Sequence, residues 1–150
     1  MIISYAKPDD VPEIAALWVR MVKELAPDYT PRRDWWEDMA VALLKTDIYH
    51  LCTAQVDGHL VGFIDGFLYP EPSTGQLHAV GQHFYVLPDY RQTSIAARLY
   101  REAIRFAHAR QASVLEFFCF DEQKSSWLNK GYKPVRTMLR RPLCSTLYQQ

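Results

Sequence analysis

The stretch from His83 to Leu99, HFYVLPDYRQTSIAARL, carries the densest chemical pattern in the chain. An apolar run stops at Pro88, a short turn follows, and the small residues Ser94 and Ala96 open a helical pattern. A helix N-terminus leaves its first backbone N–H groups without intrahelical acceptors and carries the positive end of the helix dipole. Such an end is a natural anion site. Small side chains at 94 and 96 let a phosphate approach the backbone, and Arg91 adds a guanidinium that can grip two oxygens at once. The same letters also fit a plain strand-to-helix turn.

The elements around this stretch can be read from periodicity. Ile2 to Tyr5 is a short strand stopped by Lys7-Pro8. Asp9 or Asp10 is expected to cap a helix with Pro12 in its first turn, and Val11, Ile14, Leu17, Trp18, Met21, Val22 and Leu25 give it one apolar face. Pro27 ends it. A second helix opens at Pro31 to Asp34 and sets Trp36, Met39, Ala40, Leu43 and Leu44 on one side. Strands are expected at 48–56 and 59–69, joined at Asp57-Gly58 by a turn that needs positive φ. A loop at 70–75, a strand at 77–87, a helix at 94–110, a dense apolar strand at 114–120, a helix at 122–130 closed by Gly131, and a last strand at 132–141 complete the chain. The order is β-α-α-β-β-β-α-β-α-β. It predicts an α/β (α+β) fold with a mixed, mostly antiparallel central sheet and helices on both faces. The apolar density of 114–120 predicts a strand at the sheet centre, buried on both faces.

Composition narrows the classes of function. The 150 residues are 49% hydrophobic and 23% charged, which is ordinary for one globular domain. Lys+Arg and Asp+Glu number 17 each, so no basic surplus points to nucleic acid. The first 75 residues hold 12 acids against 6 bases, and the last 75 hold 5 acids against 11 bases. Two differently charged ligands would explain that split, and so would halves that interleave in space. The N-terminus has no basic, apolar leader pattern, and no apolar run approaches the ~18 residues of a membrane span. Cys52, Cys119 and Cys144 form no C-x-x-C pair, and the five histidines have no metal-ligand spacing, so no metal is expected. A cytoplasmic, reducing setting is the expectation.

The segment Val86-Leu87-Pro88-Asp89-Tyr90-Arg91 resembles the V-x-P-x-Y-R lead-in of the GNAT superfamily of N-acetyltransferases. Arg91 and Ala96 match the ends of that family's Arg/Gln-x-x-Gly-x-Gly/Ala signature, while Ser94 replaces its central glycine. The element order fits from the first strand to Arg141. The resemblance implies one acyl-CoA N-acyltransferase domain over residues 1–150, with acetyl-CoA as cosubstrate and a primary amine as acceptor. It implies a bulge in the strand ending at Val86 and a splay between that strand and Val114–Phe120. The pantetheine arm would then pair near Phe84, Tyr85 and Val86. The pyrophosphate would lie on Arg91 and the amides of Gln92, Thr93, Ser94, Ile95 and Ala96. A homodimer is a family-level expectation.

Direct attack by an amine on a thioester needs a base at the splay, because an ammonium has no lone pair. His83, Asp65, His78 and Glu116 are the candidates. Histidine has the most suitable ordinary pKa, and by alternation His83 shares a face with Tyr85. Family members often place a tyrosine acid four residues before the glycine of a Gly-Phe/Tyr pair, and here that position is Trp127, which has no useful acidity. Tyr132 or Tyr85 could take its place. Cys119 has no identifiable histidine–carboxylate companion and reads as a buried structural thiol. Arg98, Arg101 and Arg105 read as a solvated helix face, and Trp18, Trp35 and Trp36 as core or rim. Asp28, Asp34, Glu37 and Asp38 could attract a cationic acceptor. The second reading of the same fold is a non-catalytic acyl-CoA-binding or protein-interaction module.

Overall fold

The computed structural model describes residues 1–119 and 121–135. They fall into two compact units, one over Met1–Phe118 and one that begins at Cys119. In the first unit the strands are β1 (Ile2–Tyr5), β2 (Tyr49–Val56), β3 (His59–Pro70), β4 (Leu77–Val86) and β5 (Val114–Phe117). Its helices are α1 (Val11–Leu25), α2 (Arg33–Leu43) and α3 (Ile95–Ala109), with single 3-10 turns at Pro8–Asp10 and Pro88–Tyr90. The strands form one sheet in the order β1-β2-β3-β4-β5, antiparallel except for the parallel pair β4–β5, which α3 connects. In the second unit α4 (Asp121–Leu128) ends ahead of Gly131, whose φ of 86° is the left-handed value a helix stop favours.

Each face of the sheet has its own core. On one, α1 and α2 bring Ile14, Leu17, Trp18, Met21, Trp36 and Ala40 down onto Leu51, Phe63 and Tyr85. Burying each large side chain contributes roughly 1.5–3 kcal/mol, so this apolar stripe fixes both helices. On the other face α3 lays Ile95, Leu99 and Ala103 over Cys52, Ala54, Ile64 and Val86. The β2–β3 hairpin turns at Asp57-Gly58 with φ of 51° and 81°, the two positive values expected there.

Three expectations need correction. The strand beginning at Val114 is neither central nor buried on both faces. Among the described residues it is last in the sheet, it ends at Phe117, and Val114 is 38% exposed. Only one of its faces is apolar: Leu115 and Phe117 pack beneath α3, whereas Glu116 points to the other side. Asp10 does not cap α1 with its side chain. Its carboxylate turns back to accept the Lys7 N–H at 2.7 Å, because a 3-10 turn precedes the helix. Cys119 is exposed rather than buried. Of the last expected strand, 132–135 have no regular structure, and 136–141 lie outside the described residues, as does Cys144.

One irregularity in the sheet positions the site. Asp65 pairs with His83, but the next residue, Gly66, pairs with Gly81, so Gln82 is an extra residue on β4. This is a β-bulge, which bends its strand and re-aims the side chains beyond it. Two glycines flank it. A Cβ on Gly66 would run into the Val80 carbonyl and the His50 ring, and one on Gly81 would run into the Phe117 ring. Close approach of backbone at Gly66 and of an aromatic ring at Gly81, rather than positive φ, favours glycine at these positions.

Candidate functional site

Asp65 is fully buried in a row with Leu51 and His83 across three strands. Its carboxylate accepts the Tyr49 hydroxyl at 2.8 Å, the His83 backbone N–H at 2.8 Å and the His83 ring Nδ1 at 3.0 and 3.1 Å. A buried carboxylate survives only when donors surround it, and these three supply that condition. Burial, with Asp65 alongside, pushes the Tyr49 phenol far above its ordinary range, so it donates and keeps its proton. Nδ1 of His83 faces an acceptor-only group, which assigns its hydrogen to Nδ1 and leaves a lone pair on Nε2. That lone pair receives the Trp18 indole N–H at 3.4 Å, with the two rings edge to face. The His83 side chain is 18% exposed, so the imidazole reaches the surface while its carboxylate partner does not.

The other two candidate bases lie together further along the same sheet face. Glu116 accepts the Tyr69 hydroxyl at 2.8 Å and faces His78 Nδ1 at 3.6 Å, a distance too long for a hydrogen bond. The four sequence candidates thus separate into two pairs, Asp65–His83 and His78–Glu116. Only in the first does a carboxylate orient the imidazole through a short contact.

The β4–β5 ladder joins His78–Gly81 to Val114–Phe117, and the Phe118 N–H on the Gly81 carbonyl follows it at 3.1 Å. β5 ends there, while β4 runs on through the bulge past His83, Phe84 and Tyr85 to Val86. The two strands part company within two residues of His83. The chain then turns at Pro88–Tyr90 into α3. Thr93 rather than Ser94 organises this helix start: its hydroxyl donates to the Tyr90 carbonyl at 2.6 Å and accepts the Ile95 N–H at 3.3 Å. Ser94 makes no side-chain cap bond. Among the described residues, the N–H groups of Gln92, Ser94 and Ala96 have no hydrogen-bond acceptor, so they remain available to an anion.

Arg91 behaves differently from a free anion ligand. Its Nε donates to the Val86 carbonyl at 2.9 Å, its terminal nitrogen pairs with Glu24 at 2.5 Å, and the guanidinium lies 5.4 Å from the Tyr85 ring centre. Glu24 also accepts the Tyr85 hydroxyl at 2.5 Å. Burial raises the Glu24 carboxyl, but the Tyr85 and Arg91 hydrogen bonds outweigh it and leave the group below the usual carboxylate range. Tyr85 is pushed up by burial and by Glu24, which makes it a weaker acid than an ordinary phenol. Tyr132, the other expected acid, belongs to the second unit, where it meets Trp127 edge-on at 5.3 Å.

Sequence reasoning missed Tyr49, Trp18 and Glu24 as site residues. A signal existed for the first two. Alternation in Phe63-Ile64-Asp65-Gly66-Phe67 sets a carboxylate on the same face as two phenylalanines, and a carboxylate there demands donors from neighbouring elements. Of the acidic residues expected to attract a cation, Glu37 is tied to Arg33 at 2.5 Å and Asp34 lies 3.5 Å from Arg32. The Glu24–Arg91 pair joins the acidic half of the chain to the basic half, so the halves interleave at least there. Among the described residues there is no cluster of three metal-ligating side chains, and no helix is long and apolar enough to cross a membrane.

Comparison with known proteins agrees with this arrangement. The sequence profile of the Acetyltransferase (GNAT) family matches residues 10–127. An uncharacterized N-acetyltransferase of Archaeoglobus fulgidus is 28% identical over 124 residues, covering 79% of this chain and 81% of that protein. Among solved structures, a ribosomal-protein-alanine N-acetyltransferase from Brucella melitensis superposes with a TM-score of 0.70 at 24% identity, over 95% of this chain and 97% of that one. An aminoglycoside N-acetyltransferase in complex with CoA superposes with a TM-score of 0.75 at 19% identity, over 95% of each chain. At these identities the structural likenesses speak for the fold. The profile spans most of the chain, and with it the motif at Val86–Ala96 and the bulged, parting strands acquire one explanation: this chain belongs to the GNAT family of acetyltransferases.

Proposed function

We propose that this protein transfers an acetyl group from acetyl-CoA to a primary amine by direct attack in a ternary complex, with His83 as the general base. One observation carries the reading: an Asp65-oriented imidazole lies on β4 where that strand leaves β5, one turn of chain before a helix start with unpaired amides. Bound there, acetyl-CoA supplies an acyl group already activated as a thioester. The available N–H groups of Gln92, Ser94 and Ala96, at the positive end of α3, fit a pyrophosphate. The edge of β4 beyond Gly81 fits an extended amide-bearing arm. Arg91 serves this site by holding the Val86 carbonyl and Glu24, which fixes the turn that presents the amides.

His83 Nε2 takes a proton from the acceptor ammonium and gives the nitrogen its lone pair. Asp65 keeps the ring in register and stabilises the positive charge that the ring acquires. In the balance a C–N bond replaces the C–S bond, one amine proton ends on the thiol sulfur, and the proton held by His83 passes to water. An acyl-enzyme route through Cys52 has no support, because burial pushes that thiol up to about 12. Glu116 is the second candidate base on this face, and Tyr132 the candidate acid. A cationic acceptor, a homodimer and a cytoplasmic setting belong to the same reading.

The test is thiol release from acetyl-CoA with a panel of primary amines, alongside calorimetry with CoA. Turnover that His83→Gln abolishes while CoA still binds supports the reading. CoA binding with no turnover on any amine favours the non-catalytic module. Absence of CoA binding overturns both.

A further inference from the structure

The contact between Trp18 and His83 has no part in acetyl transfer as derived above, yet it occupies the one atom on which that transfer depends. Nε2 of His83 is the site where a proton must arrive, and the indole N–H points at it from 3.4 Å. The indole is not free to drift. It stacks on Trp36 with ring centres 5.5 Å apart and planes 19° from parallel, and Trp36 in turn meets Phe63 edge-on. Trp18 is 8% exposed and Trp36 is fully buried, so the donor is held by the same core that anchors α1 and α2 to the sheet.

Opposite ends of the imidazole therefore meet opposite partners. Asp65 accepts at Nδ1. An indole N–H can only donate, so at Nε2 it favours the neutral ring, and a hydrogen on Nε2 would place two donors head to head. We propose that Trp18 is a positioning residue that holds His83 as the neutral, Nδ1-protonated tautomer with its lone pair directed along one line, and that the acceptor amine engages His83 by displacing this N–H. The proposal rests on His83 being the base. Of the charged and titratable groups on the elements around the ring, His50 on β2 stacks on Phe106, and Arg20 on α1 acts on Glu24 and Tyr85. Asp65 on β3 and Tyr49 on β2 belong to the network itself. Glu24 on α1 is committed to Tyr85 and Arg91. Glu116 on β5 faces His78 and Tyr69. Among the described residues the indole N–H is the hydrogen-bond partner of Nε2.

The experiment is nitrogen-15 NMR of the intact protein through a pH titration, read at the His83 ring and at the Trp18 indole N–H. In the wild type the indole resonance is expected to move with the same midpoint as the imidazole, because protonation at Nε2 breaks their bond. In Trp18→Phe, which keeps a ring on Trp36 and loses the donor, the imidazole midpoint is expected to rise by about half a unit, because the neutral ring loses one hydrogen bond. The acid limb of the kcat/KM profile should move in the same direction. An indole resonance that stays still while His83 titrates overturns the proposal, and so does a midpoint unchanged in a folded Trp18→Phe protein. The wild-type measurement needs no variant. His83→Gln activity separates the two ideas: full activity removes His83 as base, whereas the coupled titration reports only on the indole contact.

Discussion

Replacing Asp65 by asparagine tests the site most directly, because the two side chains share a shape and differ in what they can accept. The carboxylate receives Tyr49, the His83 backbone N–H and the His83 ring, all within 3.1 Å. An amide has one acceptor oxygen and two donors. If its nitrogen takes the place that faces the backbone N–H, a fixed donor is left opposite another donor. If it takes the place that faces Tyr49, the phenol loses its acceptor, while the remaining oxygen still meets the backbone N–H and the ring Nδ1 but without a negative charge. Either arrangement leaves one conflict, and neither supplies the charge that steadies the imidazolium formed in general-base catalysis. General-base catalysis is worth about 10²–10⁴ in rate, so kcat/KM at pH 7 should fall by about 100-fold, ~2.7 kcal/mol of transition-state stabilisation. The deficit should narrow as pH rises, because a growing share of an alkylamine of ordinary pKa near ~10.4 arrives already deprotonated. The assay is thiol release over pH 6.5–9.5, with thermal melting to show that the variant is folded. A folded Asp65→Asn protein within threefold of wild type at pH 7, or a deficit independent of pH, would refute the orienting role.

Three further outcomes follow from the described residues. His50 is 4% exposed, stacks on Phe106 at 4.6 Å, and is pushed down to about 4, chiefly by burial. The unfolded chain therefore binds the extra proton between about pH 6.5 and 4, so the stability linked to this residue is complete above 6.5 and declines by roughly 3 kcal/mol as pH falls through that window. On acidification the denaturant midpoint of wild type should fall relative to that of His50→Leu, which has no group to protonate there. Gly66→Ala should cost about 2–3 kcal/mol in chemical denaturation, since its Cβ meets the Val80 carbonyl and the His50 ring, and neither can yield cheaply; an unchanged midpoint would show that the bulge adapts. Arg91→Gln should raise the KM for acetyl-CoA about tenfold with little change in kcat, because it loosens the turn before α3 and leaves His83 alone. A fall in kcat with constant KM would place Arg91 elsewhere in the chemistry.

Much of this architecture was legible in the chain because it rests on local rules. Three-and-four spacing of apolar residues from Val11 to Leu25 specifies an amphipathic helix whatever surrounds it, and Asp57-Gly58 specifies its hairpin through the φ values that it tolerates. The helix start after Pro88 and its amides could be read in the same way. Where local density was taken as a measure of burial the reading failed. The run at 114–120 looked like a central strand, yet β5 is short and presents Glu116 on one face.

Sequence by itself determined the order of elements, the family motif at Val86–Ala96 and the short set of groups able to act as base. Tertiary structure alone decided which candidate imidazole meets a carboxylate at short range. Asp65, His83, Tyr49 and Trp18 lie on three strands and a helix, and their meeting depends on strand register and on one extra residue, Gln82, in β4. A register shift of a single position would turn His83 to the opposite face of the sheet. No local pattern encodes that choice, because it is made by the packing of α1 and α2 on one side and α3 on the other.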